Sequence, residues 1–275
     1  MNDALEIINP GFPRGDFRVA IFDFDGTLSL LRRNWQGIMI PMMIEILVET
    51  GTHESREQLF AIVEEFVMRL TGKPTYHQMQ ALADEVTARG RRPSDPHVYL
   101  KRFQDVLKVE VEARIDAIGQ RGVTPDEHMV PNSRSLLHVL HEARLALFLA
   151  SGTLLSDVQR EVRVLEIDEF FGPRVYGPQE PSSPFSKFEI VELAQFVSNA
   201  RGDQVVGFGD GPVEIEAIKR AGGLAIGVAS NEETGVGVSS AKRDLLIRAG
   251  ADIIVGDFRM QNELLQRIEL YVPDF

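Results

Sequence analysis

Cysteine is absent from this 275-residue chain, which excludes disulfide frameworks, thiolate zinc sites, iron–sulfur clusters and cysteine nucleophiles together. Basic charge is also scarce. Against 41 Asp and Glu stand 29 Lys and Arg, giving a formal charge of −12 with His neutral. Such a surface repels a nucleic-acid duplex or an anionic membrane, and no patch of more than two adjacent basic residues breaks the field, so neither partner is expected. Long apolar runs are missing too. The longest, residues 38–48, is interrupted by Pro41 and Glu45 and falls short of the about 20 residues that span a bilayer. The N-terminal segment carries acidic residues where a secretory signal would be basic and has no apolar centre, so a cytoplasmic protein is expected, as a monomer or a homodimer. What is present, 44% hydrophobic and 25% charged residues, suffices for a buried core.

Five short apolar runs ending in Gly, Asp or a small residue predict buried strands over 18–23, 145–150, 204–209, 224–229 and 253–256. Helical patterns lie between or after them, over 133–144, 155–167, 187–199, 213–221 and about 260 to 271. Strands alternating with helices predict an α/β fold with a Rossmann-like, doubly wound parallel sheet. Residues 30–130 differ, because they show helical spacing and no convincing strand. Over 55–70 the apolar residues Leu59, Phe60, Ile62, Val63, Phe66, Val67 and Leu70 follow the spacing of one helix face, and further helices are expected near 34–49, 76–89 and 97–118. The reading is an all-helical domain, 30–130, inserted into a core made of 1–29 and 131–275. Met39 to Met43 reads as interior of that insertion, since Met fills irregular gaps.

The first strand runs into Asp23-Phe24-Asp25-Gly26-Thr27, which sets two carboxylates at the strand's carboxyl end, where open parallel sheets bind ligands. On its own this is simply an Asp-Gly turn with solvated acids. Buried carboxylates without a counterion are costly, however, and two together call for a cation; Mg²⁺, a hard ion held by one or two carboxylates, water and phosphate, fits. The second strand ends in Ser151-Gly152-Thr153, a hydroxyl and small-residue amides ahead of a helix, which suits a phosphate. Lys187 opens the helix after the loop 181–186, where an ammonium screens phosphate charge. A later strand ends in Gly209-Asp210-Gly211-Pro212-Val213-Glu214, with acids one helical turn apart that can reach the same metal.

Taken in order, these four pieces resemble the motifs of the haloacid dehalogenase superfamily of phosphohydrolases, over the whole core and most closely its phosphoglycolate phosphatase and β-phosphoglucomutase-like members. The resemblance implies Asp23 as nucleophile, Asp25 as general acid and base, and Ser151, Gly152, Thr153 and Lys187 as the phosphate-binding set. It also implies a Mg²⁺ site drawn from Asp23, Asp25, Asp210 and Glu214. That family has Asp more often than Glu at the position of Glu214. Asp25 separates this chain from members resembling dehalogenases, with Asp-x-Tyr, and transport ATPases, with Asp-Lys-Thr-Gly-Thr. The insertion sits where the family carries its helical C1 cap, and Arg32, Lys73, Thr75 and Tyr76 are then candidates for substrate contact. A solvated helix start and an ordinary Gly-Pro helix break are the plain alternatives for these positions.

The expected function is Mg²⁺-dependent hydrolysis of a small phosphorylated metabolite, a sugar phosphate or a phosphoglycolate-like ester, through an aspartyl-phosphate. A sugar phosphomutase begins from the same intermediate, and a non-catalytic phosphate-ligand sensor is the alternative of another class. The glycines of Gly207-Phe208-Gly209-Asp210-Gly211 also hint at a dinucleotide site, but Asp210 would face the pyrophosphate and the third glycine is displaced.

Overall fold

The central strands are apolar runs of Val, Ile, Leu, Phe, Ala and Gly with no polar face, a pattern that demands cover on both sides. In the computed structural model, which describes residues 5–71, 73–120, 122–180, 183–232 and 234–270, they form a seven-stranded sheet. The strands are β1 (Glu6–Ile7), β2 (Val19–Phe22), β3 (Ala146–Ala150), β4 (Val175–Tyr176), β5 (Val205–Gly209), β6 (Leu224–Val228) and β7 (Ile253–Val255). Their order is β1-β7-β6-β5-β2-β3-β4. Every pairing is parallel except β1 on β7. The expected parallel sheet is thus present, with one antiparallel edge strand that two residues of sequence do not announce.

Alternate residues of each strand enter different cores, as the two-residue period of a strand requires. Ala20, Phe22, Leu147, Leu149, Val206 and Phe208 face one side, where Phe22 stacks on Phe208 with ring centroids 4.5 Å apart. That side is covered by α5 (Ser133–Glu142), α6 (Leu155–Val164), α7 (Asp168–Phe171) and α11 (Gln261–Arg267). Val19, Ile21, Phe148, Val205 and Ile254 face the other, under α8 (Lys187–Ser198), α9 (Pro212–Arg220) and α10 (Ser240–Ala249).

Three helix expectations change. The helix expected over 155–167 stops at Val164, because Glu166 takes a left-handed φ of 53°, and the short helix α7 follows from Asp168. The last helix stops at Arg267, and position 271 lies outside the described residues. Helix α10 was not among the expected helices.

The chain between β2 and α5 folds into α1 (Trp35–Val48), α2 (Arg56–Arg69), α3 (Tyr76–Ala88) and α4 (Pro96–Ala117). These helices share a cluster of their own, including Met39, Met43, Leu59, Val63, Phe66, Leu82 and Phe103. Ser55 and Gln58 form a reciprocal capping box at the start of α2, and Phe60, assigned by its spacing to the apolar face, is 44% exposed instead. Two connections join this bundle to the sheet. They run side by side, bridged at Ser29 and Met129, and Arg114 of α4 donates to the carbonyls of Leu31 and Arg33. Among the described residues no helix is long and apolar enough to cross a membrane.

Candidate active site

Strands β2, β3 and β5 are neighbours, so the loops at their carboxyl ends meet. Asp23 follows β2 directly, and its backbone N–H donates to Phe208 of β5 at 2.9 Å. After it the chain turns back, with the N–H groups of Leu28 and Ser29 both donating to the Phe24 carbonyl at 2.9 Å. Gly26 is required in this turn for two reasons. Its φ is +77°, and a β-carbon there would lie 2.2 Å from Asp210 Oδ2.

Asp23, Asp25, Ser151, Gly152, Thr153, Lys187 and Asp210 all line one cavity of about 380 Å³. So do Arg32, Lys73, Thr75 and Tyr76 from the inserted segment. The helical bundle closes on the core beside this cavity: a β-carbon on Gly211 would lie 3.3 Å from both the Thr71 carbonyl oxygen and its methyl. Part of the loop expected over 181–186, namely Pro181 and Ser182, lies outside the described residues, as does Gly72.

The charges are paired in a way the sequence does not disclose. Lys187, 4% exposed at the first turn of α8, donates to Asp23 Oδ1 at 2.5 Å and to Glu214 Oε1. Glu214 therefore sits behind the lysine and is not part of the cavity wall. Thr153, expected in the phosphate-binding set, lines the cavity and donates its hydroxyl to Asp25 Oδ2 at 2.8 Å. Its N–H donates to Ser151 Oγ at 3.0 Å, which fixes the loop. Arg32 Nε lies 3.6 Å from Asp25 Oδ1, and Arg32 Nη2 donates to Glu161 Oε1 at 2.5 Å. Lys242 of α10 donates to Asp210 Oδ2 at 2.6 Å. Glu161, Lys242 and Glu232, which accepts from Lys242 at 2.6 Å, are site residues that motif reading missed. Glu161 lies one helical turn after Asp157, which also lines the cavity, and that spacing was the available signal.

Burial pushes the Asp23 carboxyl well above the ordinary range; Lys187 opposes this, while Glu214 and Asp210 add to it. Burial likewise raises Asp25, against the pull of Arg32 and of the Thr153 hydroxyl. For Lys187 burial works against the charge, but Asp23 and Glu214 outweigh it and raise its pKa.

A site whose acids resist ionisation is short of positive charge. Asp25 Oδ1 and Glu214 Oε2 are buried without a hydrogen-bond partner. A divalent cation would supply the missing positive charge, but the four acids expected from sequence do not gather into one array. Among the described residues no three Asp, Glu or His side chains form a ligating array; Lys187 is paired with Asp23 and Glu214, and Lys242 with Asp210. Asp23 and Asp210 remain as the pair, each bonded to lysine through one oxygen only. Two carboxylates are enough for Mg²⁺, which retains water and takes phosphate oxygens.

The architecture has relatives among solved structures. A haloacid dehalogenase family hydrolase from Deinococcus radiodurans R1 with bound phosphate and sodium is 18% identical, with a TM-score of 0.57 over 94% of this chain and 99% of that one. A protein reported as a predicted phosphoglycolate phosphatase from Haemophilus somnus 129PT is 18% identical, with a TM-score of 0.59 over 92% and 99%. A β-phosphoglucomutase from Clostridium difficile is 14% identical, with a TM-score of 0.57 over 93% and 99%. At these identities the likeness is one of fold. A search of curated protein sequences gave no match. The sequence profile of the haloacid dehalogenase-like hydrolases matches residues 17–222, from just before the strand that delivers Asp23 to just beyond the helix that delivers Glu214. With most of its length matched in this way, the chain belongs to the haloacid dehalogenase-like hydrolase family.

Proposed function

We propose that the protein is a Mg²⁺-dependent phosphatase acting on a small phosphorylated metabolite, a sugar phosphate or a phosphoglycolate-like ester, through a phosphoryl group carried on Asp23. The observation that carries this reading is the different setting of two aspartates two residues apart: Asp23 is bonded to a buried ammonium, whereas Asp25 accepts from the Thr153 hydroxyl and lies beside the Arg32 guanidinium. One suits a nucleophile and the other a proton carrier.

In the first step an Asp23 carboxylate oxygen attacks phosphorus as the bond to the ester oxygen breaks. Asp25 gives its proton to that leaving oxygen. In the second step water attacks phosphorus while passing a proton to Asp25, the Asp23–phosphorus bond breaks, and inorganic phosphate leaves with both aspartates restored. Lys187, the Ser151 hydroxyl and the Gly152 amide offset charge on the equatorial oxygens. Asp23 and Asp210 would hold Mg²⁺, which when bound neutralises phosphoryl charge. Residues 30–130 act as a lid over the core of 1–29 and 131–275, with Arg32, Lys73, Thr75 and Tyr76 meeting the leaving group.

The test is phosphate release with and without Mg²⁺ from a panel of sugar phosphates, phosphoglycolate and nucleoside monophosphates. Asp23→Asn and Asp25→Asn are each expected to abolish turnover, and near-normal rates in either refute the mechanism. Isomerised sugar phosphate with little free phosphate would favour phosphoryl return to the substrate, the activity named for the β-phosphoglucomutase neighbour.

A further inference from the structure

Position 242 lies outside the four motifs and beyond the span matched by the family profile. Its side chain is nonetheless only 10% exposed and reaches the site from behind, without entering the cavity wall. The Nζ donates to Asp210 Oδ2 and Glu232 Oε1, each at 2.6 Å, and to Ser230 Oγ at 3.3 Å. An ammonium has three protons and no acceptor, so these three partners use it fully. Ser230 passes the contact on, its Oγ donating to the Gly26 carbonyl at 2.6 Å. One lysine thus ties together the loops that follow β2, β5 and β6. The arrangement parallels Lys187, which holds one oxygen of Asp23 and is balanced by Glu214. A buried pair of this kind adds little stability over apolar residues of similar volume, which points to orientation as its contribution.

We propose that Lys242, balanced by Glu232 and linked through Ser230 to the Gly26 turn, is a positioning residue that fixes Asp210 through Oδ2 and leaves Oδ1 for the divalent cation. The proposal rests on reading Asp210 as a metal carboxylate. Removing the lysine alone would mix two opposite effects, because its charge repels a dication while its hydrogen bond orients the ligand. The double variant Lys242→Met with Glu232→Met removes one charge of each sign and isolates orientation.

The measurement is Mn²⁺ binding to the substrate-free protein by electron paramagnetic resonance, with Mg²⁺ as competitor. The double variant is expected to bind Mn²⁺ about tenfold or more weakly, the range for residues that support a ligand from behind. Ser230→Ala, which keeps both charges, is expected to weaken binding in the same direction by a smaller factor. At saturating Mg²⁺ the KM for p-nitrophenyl phosphate should move less than the Mg²⁺ activation constant. A folded double variant that binds Mn²⁺ as tightly as wild type, or more tightly, overturns the proposal. Should that variant not fold, unchanged affinity in Ser230→Ala overturns it alone. Asp210→Asn separates the two levels of inference: unchanged Mn²⁺ affinity there overturns the metal reading itself, whereas loss there with no change in the double variant overturns only the role of Lys242.

Discussion

Glu161 offers a quantitative test of the charge arrangement beside Asp25. It is 2% exposed on α6, its Oε1 accepts from Arg32, and its Oε2 is buried without a partner. The same guanidinium lies 3.6 Å from Asp25 and 3.7 Å from Asp157, so one cation serves three carboxylates. Burial accordingly pushes the Glu161 carboxyl up to about 7 from 4.5; Arg32 opposes the rise, and Asp25 and Asp157 add to it. A shift of that size corresponds to about 3 kcal/mol. The sign follows from proton binding. Between these two pKa values the folded state keeps a proton that the unfolded state releases, so the contribution to stability is full below about 4.5 and is lost as pH rises through 7. Glu161→Gln keeps the shape and removes the titration. Between pH 5 and 8 the wild type should therefore lose about 2 to 3 kcal/mol of unfolding free energy relative to Glu161→Gln. Urea denaturation of both proteins at pH 5, 6, 7 and 8, with a chelator present, measures the difference directly. A difference that stays flat across this range refutes the reasoning.

Two further outcomes follow from the same site. Lys187→Met leaves Asp23 and Glu214 buried without their cation, so we expect a stability loss of about 3–5 kcal/mol in urea denaturation together with loss of phosphate release. Gly26→Ala forces a β-carbon toward Asp210 at a φ of +77°, and a cost of about 1–3 kcal/mol is expected. Scanning calorimetry reads it, and a melting temperature equal to that of wild type would show that the turn tolerates a side chain.

Much of this was legible in the sequence because strand ends fix positions. A buried strand of four or five residues leaves little freedom for the residue that follows it, so Asp23, Ser151 and Asp210 could be brought to one edge of a sheet before any contact was known. The helical character of 30–130 was equally plain, because its apolar spacing is long and regular. The edge strands β1 and β4 were not, since two residues carry no period. Nor was the turn at Glu166, where a non-glycine residue takes a left-handed conformation.

Side-chain partners were the other limit. Spacing placed Thr153 near a phosphate, but which way its hydroxyl points depends on Asp25, 128 residues away. Glu214 was matched to a metal on proximity to Asp210, yet the ammonium of Lys187 claims it first. Lys242 and Glu161 are charged residues outside the four motifs, and it is tertiary packing that buries them.

The amino-acid sequence by itself determined the α/β core, the helical insertion and the edge of the sheet where chemistry gathers, because periodicity and strand termini are local properties that the chain carries everywhere. The tertiary structure alone decided how the charges are shared: Lys187 between Asp23 and Glu214, Lys242 between Asp210 and Glu232, Arg32 among three acids. A buried ion takes whichever counterion lies nearest in space once water is excluded, and that distance is set by the packing of helices far apart along the chain.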